Sequence, residues 1–181
     1  LLYGDLKKRK GVVELIKITK NKNFPKNIKI ILAGKQSNDV KNFVKKKVKN
    51  NKSQNIIIFN KFLNYREESN FFDIANVVWL AYSGGSDGSS GVLKQAALAG
   101  KPIIESGRGL ISWINKKYKI GININLENED NSIKKIKKLL LDNNEYSFYK
   151  KNINNYSKKI NEKKFSYKIV NEIIKIKKVQ T

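Results

Sequence analysis

The sequence predicts an α/β fold: a doubly wound parallel sheet of about six strands, with helices on both faces and an extra C-terminal helical tail. Three observations carry this. Short apolar runs rich in β-branched residues alternate with segments of helical spacing along most of the chain. Gly, Ser and Asn punctuate the joints between them. The stretch from Asn76 to Glu105 reads as one strand, loop, helix and strand, the repeating unit of such sheets.

In order, Leu1 to Tyr3 is a first strand and Gly4 to Gly11 a loop; Val12 to Ile18 then has helical spacing. Asn27 to Ala33 is a second strand ending at Gly34, and Asp39 to Val48 an amphipathic helix with Val40, Phe43, Val44 and Val48 on one side. Asn55 to Phe59 is almost entirely β-branched, which predicts a strand buried on both faces. The helix from Tyr65 to Ala75 should turn Phe71, Phe72 and Ile74 to the core. Further on, Leu110 to Lys117 reads as a helix with Trp113 in the core, Tyr118 to Ile124 as the last strand, and Ile133 to Leu141 as a helix. From Tyr146 two more helical patterns follow, one through Phe148, Ile153 and Tyr156 and one from Phe165 to Ile174.

At 181 residues the chain is long enough for one well-packed domain. Without Cys there is no disulfide framework or thiolate chemistry, and without His the commonest general base and metal ligand is missing. No run approaches membrane-spanning length and no signal peptide is visible. A start inside a strand is the expectation for a piece whose N-terminal half lies elsewhere. The formal charge is +23, from 38 Lys and Arg against 15 Asp and Glu, but the only arginines are Arg9, Arg66 and Arg108. Lys, Asn and Ile crowd the whole sequence, the pattern of an AT-rich coding bias, so much of the charge is expected to be compositional background. Specific nucleic-acid recognition would favour arginine with interleaved aromatics. Attraction to anionic headgroups or nucleotide phosphates still follows from the charge.

The central unit carries the chemistry. Gly84 to Ser90 contains only Gly, Ser and Asp, Ser89 and Ser90 are good N-caps, and Gly91 to Ala99 is a short Ala- and Leu-rich helix. Gly100 fits the left-handed position after the helix, with Pro102 just beyond. A glycine-serine loop opening a helix aims backbone N–H groups at an anion. It is neither a P-loop, since Val92 follows Gly91 where Lys is required, nor a dinucleotide fingerprint, since Gly85, Gly88 and Gly91 are spaced by three.

These residues resemble the donor-binding signature of the retaining GT-B glycosyltransferases of family 4, Glu-x7-Glu followed by Ala-x-Ala-x-Gly-x-Pro-Val. Asp87 stands at the first acidic position and Gln95 at the second, and Gly100-Lys101-Pro102-Ile103 closes the pattern. The loop from Leu6 to Gly11 resembles the family's diphosphate-holding segment: Lys10 matches, Asp5 occupies the usual Arg position, and Arg9 is a substitute cation. Asn60-Lys61-Phe62-Leu63 resembles the loop that reads the nucleotide base, and Phe165-Ser166-Tyr167 the start of the C-terminal helix.

The resemblance implies a Rossmann-like nucleotide-sugar donor-binding domain over residues 1–145. C-terminal helices over 146–181 would pack on it, and the N-terminal acceptor domain would lie outside this chain. It implies transfer of a sugar from a nucleotide-diphosphate sugar to an acceptor hydroxyl with retention, in cell-surface polysaccharide or lipopolysaccharide synthesis. The cytoplasm is the implied location, with peripheral contact at the inner face of an anionic membrane as a further expectation. The catalytic roles fall to Lys10 and Asp87. Donor contacts fall to Arg9, Lys61, Leu63, Ser89, Ser90, Gly91, Val92 and Gln95, with Gln95 on the ribose. The donor is a substrate, and neither metal nor cofactor is implied. This piece alone should not turn over. Since Glu is usual at position 95, Gln95→Glu is expected to keep or improve nucleotide affinity. Two other readings stay open: a degenerate domain that binds without transfer, which Asp5, Asp87 and Gln95 favour, and a basic nucleic-acid-binding domain, suggested by charge alone.

Overall fold

The computed structural model describes residues 1–48, 55–84, 88 and 90–160. Strands and helices alternate from the start: β1 (Leu2–Tyr3), α1 (Val12–Lys20), β2 (Ile30–Ala33), α2 (Asn38–Val48), β3 (Ile56–Phe59), α3 (Tyr65–Ile74) and β4 (Val78–Leu80). They continue with α4 (Gly91–Leu98), β5 (Ile103–Glu105), α5 (Gly109–Tyr118), β6 (Gly121–Asn123), α6 (Glu129–Leu141) and α7 (Asn143–Ser157). All pairings within β1-β2-β3 and within β4-β5-β6 are parallel. The two triplets meet side by side, because Leu1 N donates to Val77 O at 2.8 Å and Trp79 N donates to Leu1 O at 2.7 Å. The full row is therefore β3-β2-β1-β4-β5-β6, the doubly wound order, whose strand order reverses between β1 and β4. Ligands of such sheets lie beyond the carboxyl ends of the strands at that reversal.

Side-chain alternation along the strands builds the two cores. Val78 and Leu80 of β4 and Ile103 of β5 point to one face, where Phe72 of α3, Leu93, Ala96 and Ala97 of α4, Ile111 of α5, and Ile153 and Tyr156 of α7 cover them. Trp79 and Ile104, the alternate residues, point to the other face against Leu15 and Ile16 of α1 and Ile133 and Ile136 of α6. The end of α4 follows the sequence closely. Gly100 is left-handed at φ 65°, its N–H bonds Ala97 O at 3.1 Å, and Lys101 N bonds Ala96 O at 2.8 Å, a Schellman closure.

Four expectations are corrected. β3 is not buried on both faces: Ile56 is buried, but Ile57, Ile58 and Phe59 are exposed. The cause is its place at the edge of the row, where β-branched residues still favour an extended chain but side chains on both faces lie beyond full cover. Ile74 is exposed in the last turn of α3, where Phe72 is the residue that reaches the core. Trp113 is 55% exposed, because Ile111 and Asn115 form the buried stripe of α5 and Trp113 lies off it. The helix expected from Ile133 starts earlier, at Glu129, since the Asn128 side chain caps it by accepting from Asn131 N at 3.0 Å. The last apolar pattern, Phe165 to Ile174, lies outside the described residues.

Candidate functional site

The loops after β1 and β4 are stitched together at the reversal point. Ser83 N donates to Arg9 O at 3.0 Å, Ser83 Oγ to Lys8 O at 3.0 Å, and the Trp79 indole N–H to Lys10 O at 3.2 Å. Gly11 makes this approach possible. It sits at φ 72°, and a Cβ there would lie 2.1 Å from Ala81 O.

This stitching holds Lys10 where the sequence placed a phosphate ligand. Lys10 is only 9% exposed; its ammonium donates to Tyr3 O at 3.2 Å and lies 6.0 Å from the centre of the Tyr82 ring. It also lies over Gly4, 2.9 Å from where a Cβ would stand, and Val92 Cγ2 lies 4.0 Å from the same point. The ammonium and Val92, in the first turn of α4, thus both border the space over Gly4. Burial first, and the Arg9 charge second, hold the Lys10 pKa below the ordinary lysine value. An anion placed beside it would recover that cost.

Ser90 caps α4 as the sequence predicts: its Oγ accepts from Leu93 N at 3.4 Å and lies 3.1 Å from the Tyr82 hydroxyl. The N–H groups of Gly91 and Val92, at the first two positions of the helix, have no intrahelical acceptor and carry the positive end of its dipole. Gly91 is exposed and nothing described stands within 4 Å of where its Cβ would be, so the helix start opens to solvent. Lys10, Ser90, Gly91 and Val92 thus come together. Arg9 joins them from the exposed side of its loop, where its charge acts on both Lys10 and Tyr82. Asp5 is exposed and pairs with Lys7 at 2.8 Å. Asp87 and Ser89 lie outside the described residues.

Gln95 sits in a network that its spacing could not reveal. Its Nε2 donates to Glu68 Oε1, and Glu68 Oε2 accepts from the Tyr3 hydroxyl at 2.7 Å. Burial first, and the Glu68 carboxylate second, raise the Tyr3 pKa. This chain of β1, α3 and α4 residues places a carboxyl group against Gln95, and it overturns the expectation for Gln95→Glu. That variant would bring two carboxylates into contact.

Lys61 and Leu63 lie farther along the same edge, after β3. Lys61 is exposed and bonds Glu67 Oε1, while Leu63 is half-buried. Glu67 closes a capping box with Asn64, which fixes the start of α3. Two rings not counted among the donor contacts flank them: Phe62, within the same loop, is 81% and Tyr65 is 87% exposed. Their signal was two aromatics at a loop-to-helix joint that no apolar stripe claims.

On the other side, Glu105 ends β5 almost fully buried. Its Oε1 accepts from Asn115 Nδ2 and Asn123 Nδ2, both at 3.1 Å, and its Oε2 accepts from Gly107 N. Ser106 Oγ in turn donates to Tyr82 O at 2.7 Å, so Glu105 fixes the loop that supports the Tyr82 backbone. Glu105→Ala strips the buried Asn115 amide, the exposed Asn123 amide and the Gly107 N–H of their acceptor and should cost on the order of 3 kcal/mol in urea unfolding. Glu105→Gln keeps one acceptor oxygen and should cost clearly less. Equal costs would mean that the hydrogen bonds contribute little beyond filling space.

A search of curated proteins by sequence returned no match. Among solved structures, the chain resembles Alr3699/HepE from Anabaena, in complex with UDP and glucose, at TM-score 0.79 and 13% identity over 96% of this chain and 48% of that one. It resembles WaaG, a glycosyltransferase involved in lipopolysaccharide biosynthesis, at TM-score 0.69 and 16% identity over 87% of this chain and 42% of that one. The C-terminal domain of the glycosyl transferase group 1 family protein LpcC from Francisella tularensis gives TM-score 0.71 and 17% identity over 88% of this chain and 83% of that domain. The chain thus spans less than half the length of HepE and of WaaG. The family profile described as Glycosyl transferases group 1 matches residues 1–159, and the chain belongs to that family.

Proposed function

We propose that this chain is the donor-binding part of a retaining glycosyltransferase and holds a nucleotide-diphosphate sugar at the loops between β1 and β4. The observation that carries the reading is the largely buried Lys10 side chain, whose ammonium borders the space over Gly4 together with Val92 at the open start of α4. That pairing suits a diphosphate, whose charge develops further as it departs. Gly91 and Val92 supply amides, Ser90 a hydroxyl and Arg9 a second cation. The ribose meets the Gln95–Glu68 pair, and the base lies toward Lys61, Leu63 and the exposed rings of Phe62 and Tyr65. Asp87 on the sugar and Ser89 at the helix start complete the set by their place in the signature. Sugar passes to an acceptor hydroxyl presented by a domain outside this chain, in the synthesis of a cell-surface polysaccharide or lipopolysaccharide at the cytoplasmic side. The Anabaena relative, solved with UDP and glucose, supports the substrate class. The donor is bound as substrate, with no metal or cofactor assigned.

The test is titration of the chain with UDP, GDP, ADP and their hexose conjugates, followed by ligand-observed NMR. One nucleotide series should saturate in the high micromolar range, since half of a cleft leaves the ligand partly solvated. No saturation by any of them up to millimolar levels would sink the reading. The degenerate-domain reading rests on Asp5, Asp87 and Gln95, the three departures from the signature. Donor turnover by the longer protein that contains this domain separates the two.

The Gln95 network gives a sharper check. Gln95→Glu should lower affinity for the saturating nucleotide by about fivefold or more, because Glu68 already faces that side chain (about 1 kcal/mol, the scale of one lost hydrogen bond). Adding Glu68→Gln exchanges the two groups and should restore most of the loss. If Gln95→Glu binds as well as the parent chain, the ribose does not meet this pair.

A further inference from the structure

We propose that the outer face built from α5 and its α4 and α7 neighbours docks onto a negatively charged membrane surface, with Leu110 and Trp113 entering the headgroup layer. Donor binding plays no part in the argument. Leu110 and Trp113 are three residues apart on one side of α5, both exposed, and Lys117 continues that row one turn on. The Lys117 ammonium lies 4.8 Å from the centre of the Trp113 ring and 5.5 Å from that of Tyr118. From α7's end, Lys159 lies 5.0 Å from the Tyr118 ring. Arg108 and Lys116 are exposed at the two ends of the same helix. An exposed indole with the Lys117 ammonium over its ring, beside a second ring that Lys117 and Lys159 both approach, matches the boundary between water and acyl chains.

Charge complementarity favours an anionic surface as the occupant. No Asp or Glu occurs from Gly88 to Ile104, from Ser106 to Leu126 or from Tyr146 to Ile160. Those stretches contain α4, α5 and most of α7, and Glu105 between the first two is buried under three hydrogen bonds. With Arg108 as its single arginine, the face is poorly equipped for phosphodiester and base recognition. A groove of about 280 Å³ runs between α4 and α5, floored by Leu93, Ile111, Ile114 and Tyr156, and its rim includes Ser90 and Gly91. A docked bilayer would therefore lie beside the start of α4, where an acceptor carried on a lipid could be presented.

The test mixes the full 181-residue chain with vesicles of equal phosphatidylglycerol and phosphatidylcholine, and with phosphatidylcholine vesicles alone. The chain should sediment with the anionic vesicles only. Trp79 is buried, so emission that shifts to the blue and is quenched by brominated lipid would report Trp113. Trp113→Ser with Lys117→Glu should weaken partitioning about tenfold or more and abolish the quenching. Both residues are exposed, so the fold should hold, checked by circular dichroism. Lys46→Glu on α2 makes the same change in charge and should alter partitioning less than about twofold. Equal losses in the two variants, or no quenching by brominated lipid, would overturn the proposal. So would a Trp113 shift produced by raised protein concentration or by RNA in the absence of any vesicle response, which would point to a second copy or to nucleic acid.

Discussion

Lys10→Met should lower turnover of the two-domain transferase proposed above by about a hundredfold to a thousandfold, the range for losing one preorganised charge on a developing anion. In this chain the same change should weaken nucleoside diphosphate binding by about tenfold or more, because a charge-assisted contact is lost. Stability should move the other way. The Lys10 ammonium is buried, and a side chain of similar length without charge avoids that desolvation. The expected pair of results is an unchanged or raised melting temperature and a collapsed affinity. A fall in both would make Lys10 a structural residue.

The pH dependence follows with a definite sign. In the unliganded chain burial and Arg9 hold the Lys10 pKa down, and a bound diphosphate would raise it. Affinity is then full below the free-state pKa and falls as pH rises from there through the bound-state pKa. Lys10→Met should remove that alkaline decline. Its persistence in the variant would assign the titration to another group.

Gly11→Ala should cost about 3 kcal/mol of stability. The left-handed backbone at φ 72° costs an alanine about 1 kcal/mol. The new Cβ would then overlap Ala81 O at 2.1 Å and crowd Trp79 Nε1 at 3.0 Å, and overpacking against fixed backbone adds about 1–3 kcal/mol. Relief means parting the loops after β1 and β4, which weakens the Ser83 and Trp79 bonds to the Lys10 loop. Gly91→Ala is the control, with nothing described within 4 Å and a place in the first turn of α4. It should leave urea unfolding within about 0.5 kcal/mol of the parent. Similar costs at both positions would mean that the loops are not in close contact.

What was legible in the sequence was local. Ser90 as a cap, Gly100 as a left-handed stop and Pro102 beyond it are choices fixed by backbone chemistry within one unit, and the structure has them. The alternation of strand and helix likewise determines a parallel sheet without further information. What was not legible depends on neighbours in space. A β-branched run such as Ile56 to Phe59 signals an extended chain, but not whether another strand lies beyond it. Trp113 is large and aromatic, yet its angular offset from Ile111 and Asn115 decided its exposure. Glu68 meets Gln95 across 27 residues, and no spacing rule joins an acid on α3 to an amide on α4. Lys10 was found because its loop has a recognisable form; its burial and its contact with Tyr3 were not foreseeable.

The joint between the two strand triplets has a thermodynamic consequence. Two backbone hydrogen bonds at Leu1 carry the ladder across it, whereas the ligand contacts proposed here come from both sides. Tyr3 and Lys10 belong to the first triplet, and Ser90, Gly91, Val92 and Gln95 follow the second. Any free energy of donor binding is therefore also free energy of docking the two halves, since either half alone presents half a grip. The seam is the place where sub-global opening should be cheapest in the empty chain. Nucleotide should slow amide exchange at Trp79 by the factor with which it is bound, while Leu32 and Ile104, inside each triplet, gain far less.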